Sequence, residues 1–302
     1  MTLLQLRYAL ALERTQSFHR AADELRIAQP TLSLQIQKLE REIGYTLFNR
    51  DKVPVTIFRN ARPFLKQAKQ VLRETEKLEY FYSSNSDNLA TEIRVGVIPT
   101  VASYLIRSFL PALIHSYPQL KIKIYEIPTE SIIRQIEEGA IDIGILATPL
   151  KLKSIKERPV YYEPFKIYLP PKMEKLKSNM SIEQLADYPV LVLSSDHCFG
   201  QQQLRICKGF LQGSVETGSF HTLIQMVDAN LGLTLLPEFE EVTNQNRLRS
   251  ISVPVPAREI SLITGPDFYK NAVLKIIQSE IIKIIPKEYH TKKNLSILGV
   301  SF

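Results

Sequence analysis

The sequence predicts an α/β chain with an all-α head at its N-terminus, a long linker helix and a two-lobed effector module. Three observations lead there. Short amphipathic segments separated by tight turns fill the first 60 residues. Residues 63–82 then repeat apolar side chains at spacings of three and four. From residue 93 onward, apolar strand-like runs alternate with helical stretches. A chain of 302 residues has room for two or three domains at about 100–200 residues each.

In the head, residues 2–15 read as a helix with Leu3, Leu6, Leu10 and Ala11 on one side. A second helix is expected over FHRAADEL (18–25), a turn at 26–28, and a third helix over 30–43. Pro30 suits a first helical turn, where its missing N–H has no partner anyway, and Gly44 suits the stop. Leu32, Ile36, Leu39 and Ile43 share a face, which leaves Thr31, Ser33, Gln35, Gln37 and Lys38 outside it. Hydroxyls, amides and ammonium groups of this kind hydrogen-bond base edges and phosphates. A helix, a tight turn and a second helix with a polar face make a helix-turn-helix. From Phe18 to Arg73 there are 11 Lys and Arg against 5 Asp and Glu, so this stretch holds +6 of the chain's net +7. That is the footprint of a polyanion-binding module, against the blander reading of a solvated basic face.

Residues 63–82 carry Leu65, Ala68, Leu72, Thr75, Leu78 and Tyr82 as a stripe for packing on another helix, and 83–92 reads as a hinge. Strands are expected at 93–100, 121–127 and 140–146, with helices at 101–115 and 130–138 between them, the alternation of a parallel sheet. A second unit starts near Phe165, with strands over FKIYL, 189–194, 231–237 and 258–265 and a helix at 219–229. The last helix, 271–285, returns to the first unit. Two lobes joined by two crossings form a hinged module with a cleft.

Composition removes several classes. Hydrophobic residues at 44% and charged residues at 23% argue against disorder and collagen. No apolar run reaches the ~18 residues of a membrane span. The N-terminus lacks the basic start and cleavage site of a secretion signal, so a cytoplasmic protein with no membrane partner is expected. Two cysteines cannot form a disulfide framework. The five histidines show no chelating spacing, so no metal and no cofactor are expected. Neither a phosphate-cradling Gly-rich loop nor a nucleophile elbow is present.

The head residues carry a long, specific pattern: Phe18-x-x-Ala21-Ala22-x-x-Leu25-x-x-x-Gln29-Pro30-x-Leu32-Ser33-x-Gln35-Ile36-x-x-Leu39-Glu40-x-x-x-Gly44-x-x-Leu47-Phe48-x-Arg50. It resembles the winged helix-turn-helix of LysR-type transcriptional regulators. The hinge, the lobes and Gly232-x-x-Leu235-Leu236-Pro237 extend the resemblance over the whole chain. It implies a DNA-binding head at 1–60, a linker and dimerisation helix at 61–90, and a periplasmic-binding-protein-like effector module at 91–302. Lobe I would hold 91–164 and 267–302, and lobe II 165–266. It also implies double-stranded promoter DNA as partner, RNA polymerase as a further one, and a homotetramer built as a dimer of dimers. Candidate DNA contacts are Gln29, Pro30, Thr31, Ser33, Gln35, Lys38 and Arg50. The wing, Asp51 to Ala61, departs from the basic run ending in Leu-Thr-x-Ala-Gly that the family carries.

His197-Cys198-x8-Cys207, with Thr100 in Ile98-Pro99-Thr100-Val101 and Thr129 after Glu126, resembles the hydrogen-peroxide-sensing OxyR branch of that family. The resemblance implies Cys198 as the peroxidatic cysteine, Cys207 as the resolving one, and Thr100, Thr129, His197 and Gln202 as the peroxide pocket. It implies an activator of antioxidant genes and not an enzyme. Where the branch has Arg-Asp soon after the peroxidatic cysteine, this chain has Gly200 and Gln201. The chemistry is coherent: a thiolate attacks peroxide, and the sulfenic acid condenses with a second thiol. Thiolate character needs nearby positive charge, for which His197, Arg205 and Lys208 are closest in sequence. If 201–207 is helical, nine residues at ~1.5 Å rise separate the thiols by about 13 Å. A disulfide needs Cα atoms within about 7 Å, so it forms only if the helix unwinds. The alternatives are two inert buried cysteines in a regulator with a small organic effector in its cleft, and a thiol peroxidase using Cys198. A periplasmic solute-binding protein would share the lobes but needs a signal peptide.

Overall fold

The computed structural model describes residues 1–83, 92–176, 179–207 and 215–300. The chain divides into two compact units, 1–88 and 89–302.

In the first unit, α1 (Leu3–Thr15) starts with a capping box, in which Thr2 and Gln5 satisfy each other's backbone N–H. Ser17 caps α2 (Phe18–Leu25), which ends at Arg26 in the left-handed region. The third helix, α3 (Gln29–Ile43), ends at Gly44 with φ +82°, where a residue without Cβ avoids strain. Leu32, Ile36 and Leu39 are fully buried with Leu12, Ala21 and Phe48. A two-stranded wing follows, β1 (Phe48–Asn49) against β2 (Thr56–Ile57). Glu40 anchors it by accepting from the Leu47 and Phe48 amides at 2.8 and 3.2 Å. Next, α4 (Arg62–Ser83) buries Leu65 and Ala68 but leaves Leu78 and Phe81 more than half exposed. Most of the expected hinge lies outside the described residues.

The second unit contains β3 (Glu92–Val97), α5 (Pro99–Ser116), β4 (Lys121–Glu126), α6 (Thr129–Glu138), β5 (Ile143–Thr148) and β6 (Lys156–Tyr168). It continues with β7 (Asn179–Met180), β8 (Val190–Leu193), α7 (Cys198–Ile206), β9 (Glu216–Thr217) and α8 (Phe220–Asp228). Last come β10 (Leu233–Pro237), β11 (Leu248–Ile251), β12 (Val255–Thr264), α9 (Asn271–Ile284) and β13 (Leu295–Ile297). The main strand order is β4-β3-β5-β12-β6-β10-β8-β9.

The sheet is mixed and not parallel throughout. β3, β4 and β5 pair in parallel, as do β8, β9 and β10. Between those groups β12 and β6 run antiparallel to each other, to β5 and to β10. These two are the crossings expected between lobes, but longer: β6 has 13 residues, whereas the sequence reading caught only FKIYL. Pro159 and Pro164 mask its first half, since proline ordinarily argues against a central strand.

Two hydrophobic cores result. One gathers Val95, Val97, Ile132, Ile145, Ile260, Leu262 and Leu274; the other gathers Phe165, Val192, Phe199, Leu223 and Leu235. At α7 the chain passes from one to the other. Cys198 belongs to the first core, and Phe199 and Cys207 to the second.

Gly200 explains one departure seen in the sequence. Any Cβ there would collide with the main-chain carbonyls of Leu193 and Ser194, because α7 lies directly against the end of β8. An arginine has no space here. Gly200→Ala should therefore destabilise the protein despite the ~1 kcal/mol gain in helix propensity. A net loss of about 1–3 kcal/mol by urea denaturation is expected for this overpacking. Equal or higher stability would show that α7 shifts freely on β8.

Candidate functional site

Helix α7 is held by its own polar side chains. Gln203 accepts from the Leu193 amide at 2.7 Å and donates to the Leu235 carbonyl at 2.8 Å. This fixes the first turn, where Cys198 is the first helical residue after the His197 cap. The helix N-terminus presents unpaired N–H groups and positive potential to that thiol.

The cation at the thiol comes from β12. Arg258 is fully buried. Its Nε donates to Glu163 Oε2 at 2.8 Å, and Nη1 and Nη2 donate to the hydroxyl and carbonyl of Thr100 at 2.9 and 2.7 Å. Its guanidinium lies 5.1 Å from the Phe199 ring centre. Burial pushes the Cys198 thiol up from its ordinary value, while the Arg258 guanidinium and the Thr129 hydroxyl beside it pull it back. Cys207 has only burial acting on it and is pushed up to about 11. The two thiols thus differ in kind, one facing a guanidinium and the other sealed in hydrocarbon.

Two oxygen atoms near Cys198 are buried without a hydrogen-bond partner, Thr129 Oγ1 and Gln202 Oε1. Gln202 lies one turn beyond Cys198 on the same helix face, and its Nε2 is spent on the Leu298 carbonyl at 2.7 Å. Buried polar atoms are normally paired, so both have unused hydrogen-bonding capacity beside the thiol.

Of the residues expected in the pocket, Thr129 lies beside the Cys198 thiol, Thr100 reaches it through Arg258, and Gln202 follows it by one turn on α7. His197 turns aside, its Nε2 3.0 Å from the Gly218 carbonyl. Arg205 donates to the Gly299 carbonyl at 2.9 Å, and Lys208 lies outside the described residues. Arg258 and Glu163 were missed. Their signal was a charged residue inside an apolar strand run, in REISLIT and YYEPFKI, because charges are almost never fully buried unless paired.

Between the lobes lies a cleft of about 530 Å³, bordered by Thr100, Tyr104, His197, Phe220, Glu240 and Glu241. Thr100 is shared by the cleft and the thiol site. In the cleft, Glu240 accepts from Ser103 Oγ at 2.8 Å, and burial pushes its carboxyl up to about 7.

On the head, Gln29, Pro30, Thr31 and Lys38 are exposed along α3. Three other candidates are tied within the unit. Arg50 donates to Ser33 Oγ at 3.1 Å and to Glu40 Oε2 at 2.8 Å, and lies 5.1 Å from the Phe18 ring centre. Gln35 accepts from Gln5 Nε2 at 3.3 Å.

The cleft carboxyl makes stability depend on pH. Glu240 keeps its proton to about pH 7 when folded, while an unfolded glutamate loses it near its reference value of about 4.3. The native state binds more protons across that window, so stability falls as pH rises through it. Glu240→Gln should raise stability by about 1–3 kcal/mol at pH 8 and leave it unchanged near pH 4, as read by thermal unfolding at both. An equal effect at both would rule out the titration.

Residues 3–57 match the family described as bacterial regulatory helix-turn-helix protein, lysR family, and residues 86–276 the family described as LysR substrate binding domain. The hydrogen peroxide-inducible genes activator of Haemophilus influenzae is 32% identical over 277 residues, covering 88% of this chain and 91% of that one. A full-length Pseudomonas aeruginosa OxyR carrying a cysteine-to-aspartate replacement superposes with a TM-score of 0.82 at 28% identity, covering 97% and 98% of the two chains. A cysteine-to-serine mutant of Corynebacterium glutamicum OxyR with H2O2 bound gives 0.62 at 26%, covering 94% and 92%. The chain belongs to the LysR family of DNA-binding transcriptional regulators and resembles the OxyR proteins of that family along its whole length.

Proposed function

We propose that this regulator senses hydrogen peroxide through a reversible Cys198–Cys207 disulfide and controls antioxidant genes. The observation that carries the reading is the buried constellation at Cys198. The thiol faces the Arg258 guanidinium and stands beside two unpartnered oxygens, on Thr129 and Gln202. Peroxide is the small ligand that fits, with two O–H donors and lone pairs on both oxygens. The binding of H2O2 by the Corynebacterium relative supports the same reading.

The Cys198 thiolate attacks one oxygen and the O–O bond breaks. Sulfur gives up two electrons, and the departing hydroxide takes a proton to leave as water. The Cys207 thiol then attacks the sulfenic sulfur and displaces a second hydroxide, which leaves as water with the Cys207 proton. Two thiols and one peroxide become one disulfide and two waters; a dithiol reductant reverses the change. Arg258 stabilises the attacking thiolate and, with Thr129, the developing hydroxide.

The disulfide cannot form on the reduced helix. Cys198 begins α7 and Cys207 ends it, a separation of about 13 Å at ~1.5 Å per residue against the ~7 Å limit between Cα atoms. Bond formation draws each sulfur out of its core and unwinds α7, a two-state element of the kind that drives switches. The readout is the arrangement of DNA-binding heads in a dimer of dimers. Gln29, Thr31 and Lys38 read the promoter directly, with Ser33 and Arg50 holding the wing to α3. The head at 1–60, linker at 61–90 and effector module at 91–302 divide these tasks in a cytoplasmic protein that works with RNA polymerase.

Mass mapping of thiols after brief exposure to micromolar peroxide should find a Cys198–Cys207 bond in the wild type. In Cys207→Ser it should find oxidised Cys198 with the DNA footprint of the reduced protein. A normal footprint change in that variant would sink the disulfide switch. Wild-type thiols untouched by peroxide would favour a cleft-bound metabolite instead.

Replacing Ser33 with Trp should displace Arg50 and reduce promoter affinity at least tenfold, about 1.4 kcal/mol, while peroxide oxidation of Cys198 keeps its rate. Unchanged promoter binding in a gel-shift titration would refute this placement of the recognition helix.

A further inference from the structure

Glu163 lies on β6, fully buried, and touches neither the cleft ligand space nor the thiol. Each of its hydrogen bonds does something definite. Oε2 accepts from Arg258 Nε at 2.8 Å and from the Tyr104 hydroxyl at 3.1 Å. Oε1 accepts from the Phe239 amide at 3.2 Å. The carboxylate is therefore fixed from three directions, by α5, β12 and the segment after β10. It fixes the guanidinium in turn: Nε goes to Glu163, and Nη1 and Nη2 go to Thr100. Arg258 is held at three nitrogens, and its ion-pair partner among the described residues is Glu163.

We propose that Glu163 is a positioning residue of the peroxide reaction. It holds the Arg258 guanidinium against Thr100 and the Cys198 thiol and cancels part of its charge, so it sets how reactive that thiol is. The inference rests on the peroxide reading of Cys198. Physically, an unopposed guanidinium in a site this dry would draw the thiol toward full ionisation. With a carboxylate 2.8 Å from its Nε, the field at sulfur is reduced to that of a dipole, which falls off faster with distance. A permanently ionised thiol would be oxidised at basal peroxide levels; a thiol with no cation would be inert. The pair places Cys198 between those limits.

Two polar side chains act on this thiol directly, Thr129 from α6 and Arg258 from β12, and Gln202 follows it by one turn on α7. Behind Arg258 stand Thr100 and Tyr104 from α5 and Glu163 and Tyr161 from β6. Glu240 couples to the same network from the cleft, raised in part by Glu163. All but position 163 are common to the variants compared, so a difference between them reports on that position.

The test measures Cys198 alkylation by iodoacetamide and its oxidation by H2O2 in the full-length chain from pH 6 to 11, with each cysteine followed by mass spectrometry. Glu163→Gln keeps the volume and an oxygen for Arg258 Nε but removes the charge. It should move the Cys198 inflection about one pH unit to the acid side. Below the inflection both rates should then rise by up to about tenfold, the change in thiolate fraction that one unit represents. Glu163→Asp keeps the charge and should hold the inflection within about 0.3 unit of wild type, a twofold change in that fraction. Cys207 should be unaffected in both. A Gln variant with wild-type inflection and rates, or one shifted to the basic side, overturns the proposal and leaves Glu163 a structural residue. So does an Asp variant shifted to the acid side, which also keeps the test decisive if the Gln variant fails to fold. A wild-type Cys198 that alkylates normally but ignores peroxide overturns the peroxide reading itself, and this inference with it.

Discussion

The effector module depends on one buried ion pair. Arg258 and Glu163 are both fully buried, on the two strands that cross between the lobes. Burying two charges costs several kcal/mol per ion, and removing one partner of such a pair costs about 3–5 kcal/mol. An apolar pair of the same volume would hold the strands together at least as well. What an apolar pair would not do is place a guanidinium at a cysteine. The pair is best understood as chemistry installed in a load-sharing position, where β6 and β12 are hydrogen-bonded from Lys156 to Pro164 and the geometry cannot relax.

The thiol site forms beside these strands. Thr100 begins α5 just after β3 and Thr129 begins α6 just after β4, so both stand at the C-terminal ends of the parallel lobe I strands. Helix α7 comes from lobe II but places Cys198 in the lobe I core. Its next residue, Phe199, stacks within lobe II, 4.7 and 5.1 Å from the Phe165 and Phe220 ring centres. The reduced helix is therefore stapled across two cores. Exposing Phe199 alone would cost about 1.5–3 kcal/mol, before the Gln203 hydrogen bonds to Leu193 and Leu235 are broken. On the proposed switch, disulfide formation has to offset that loss through the new S–S bond and new contacts.

Much of this was legible in the sequence, for physical reasons. The head helices were found to within a residue or two because their apolar residues keep helical spacing and the third helix starts at Pro30 and stops at Gly44. Of the residues named by resemblance, Thr129 lies beside the Cys198 thiol, Thr100 binds the Arg258 guanidinium that acts on it and Gln202 stands one turn along α7, whereas Cys207 sits at the far end of that helix in the other core. Arg258 and Glu163 were not found, since they stand 60 and 35 residues from Cys198 and only strand pairing joins them. His197 and Arg205 are near along the chain, yet backbone carbonyls of other segments, Gly218 and Gly299, hold their side chains. The first half of β6 was lost behind its prolines, and with it the antiparallel crossing that carries Glu163.

The departure at Gly200 and the presence of Arg258 are one fact seen twice. α7 lies so close to β8 that position 200 tolerates no side chain. A cation for the thiol therefore cannot come from position 200, and in this protein it reaches the site from β12 across the sheet. Placed there, it sits in the interior and needs its own countercharge, a requirement that a solvent-facing arginine on the helix would not have had. The close approach of α7 to β8 thus closes position 200 to a cation, and the buried arginine that stands at the site instead brings its countercharge Glu163 with it.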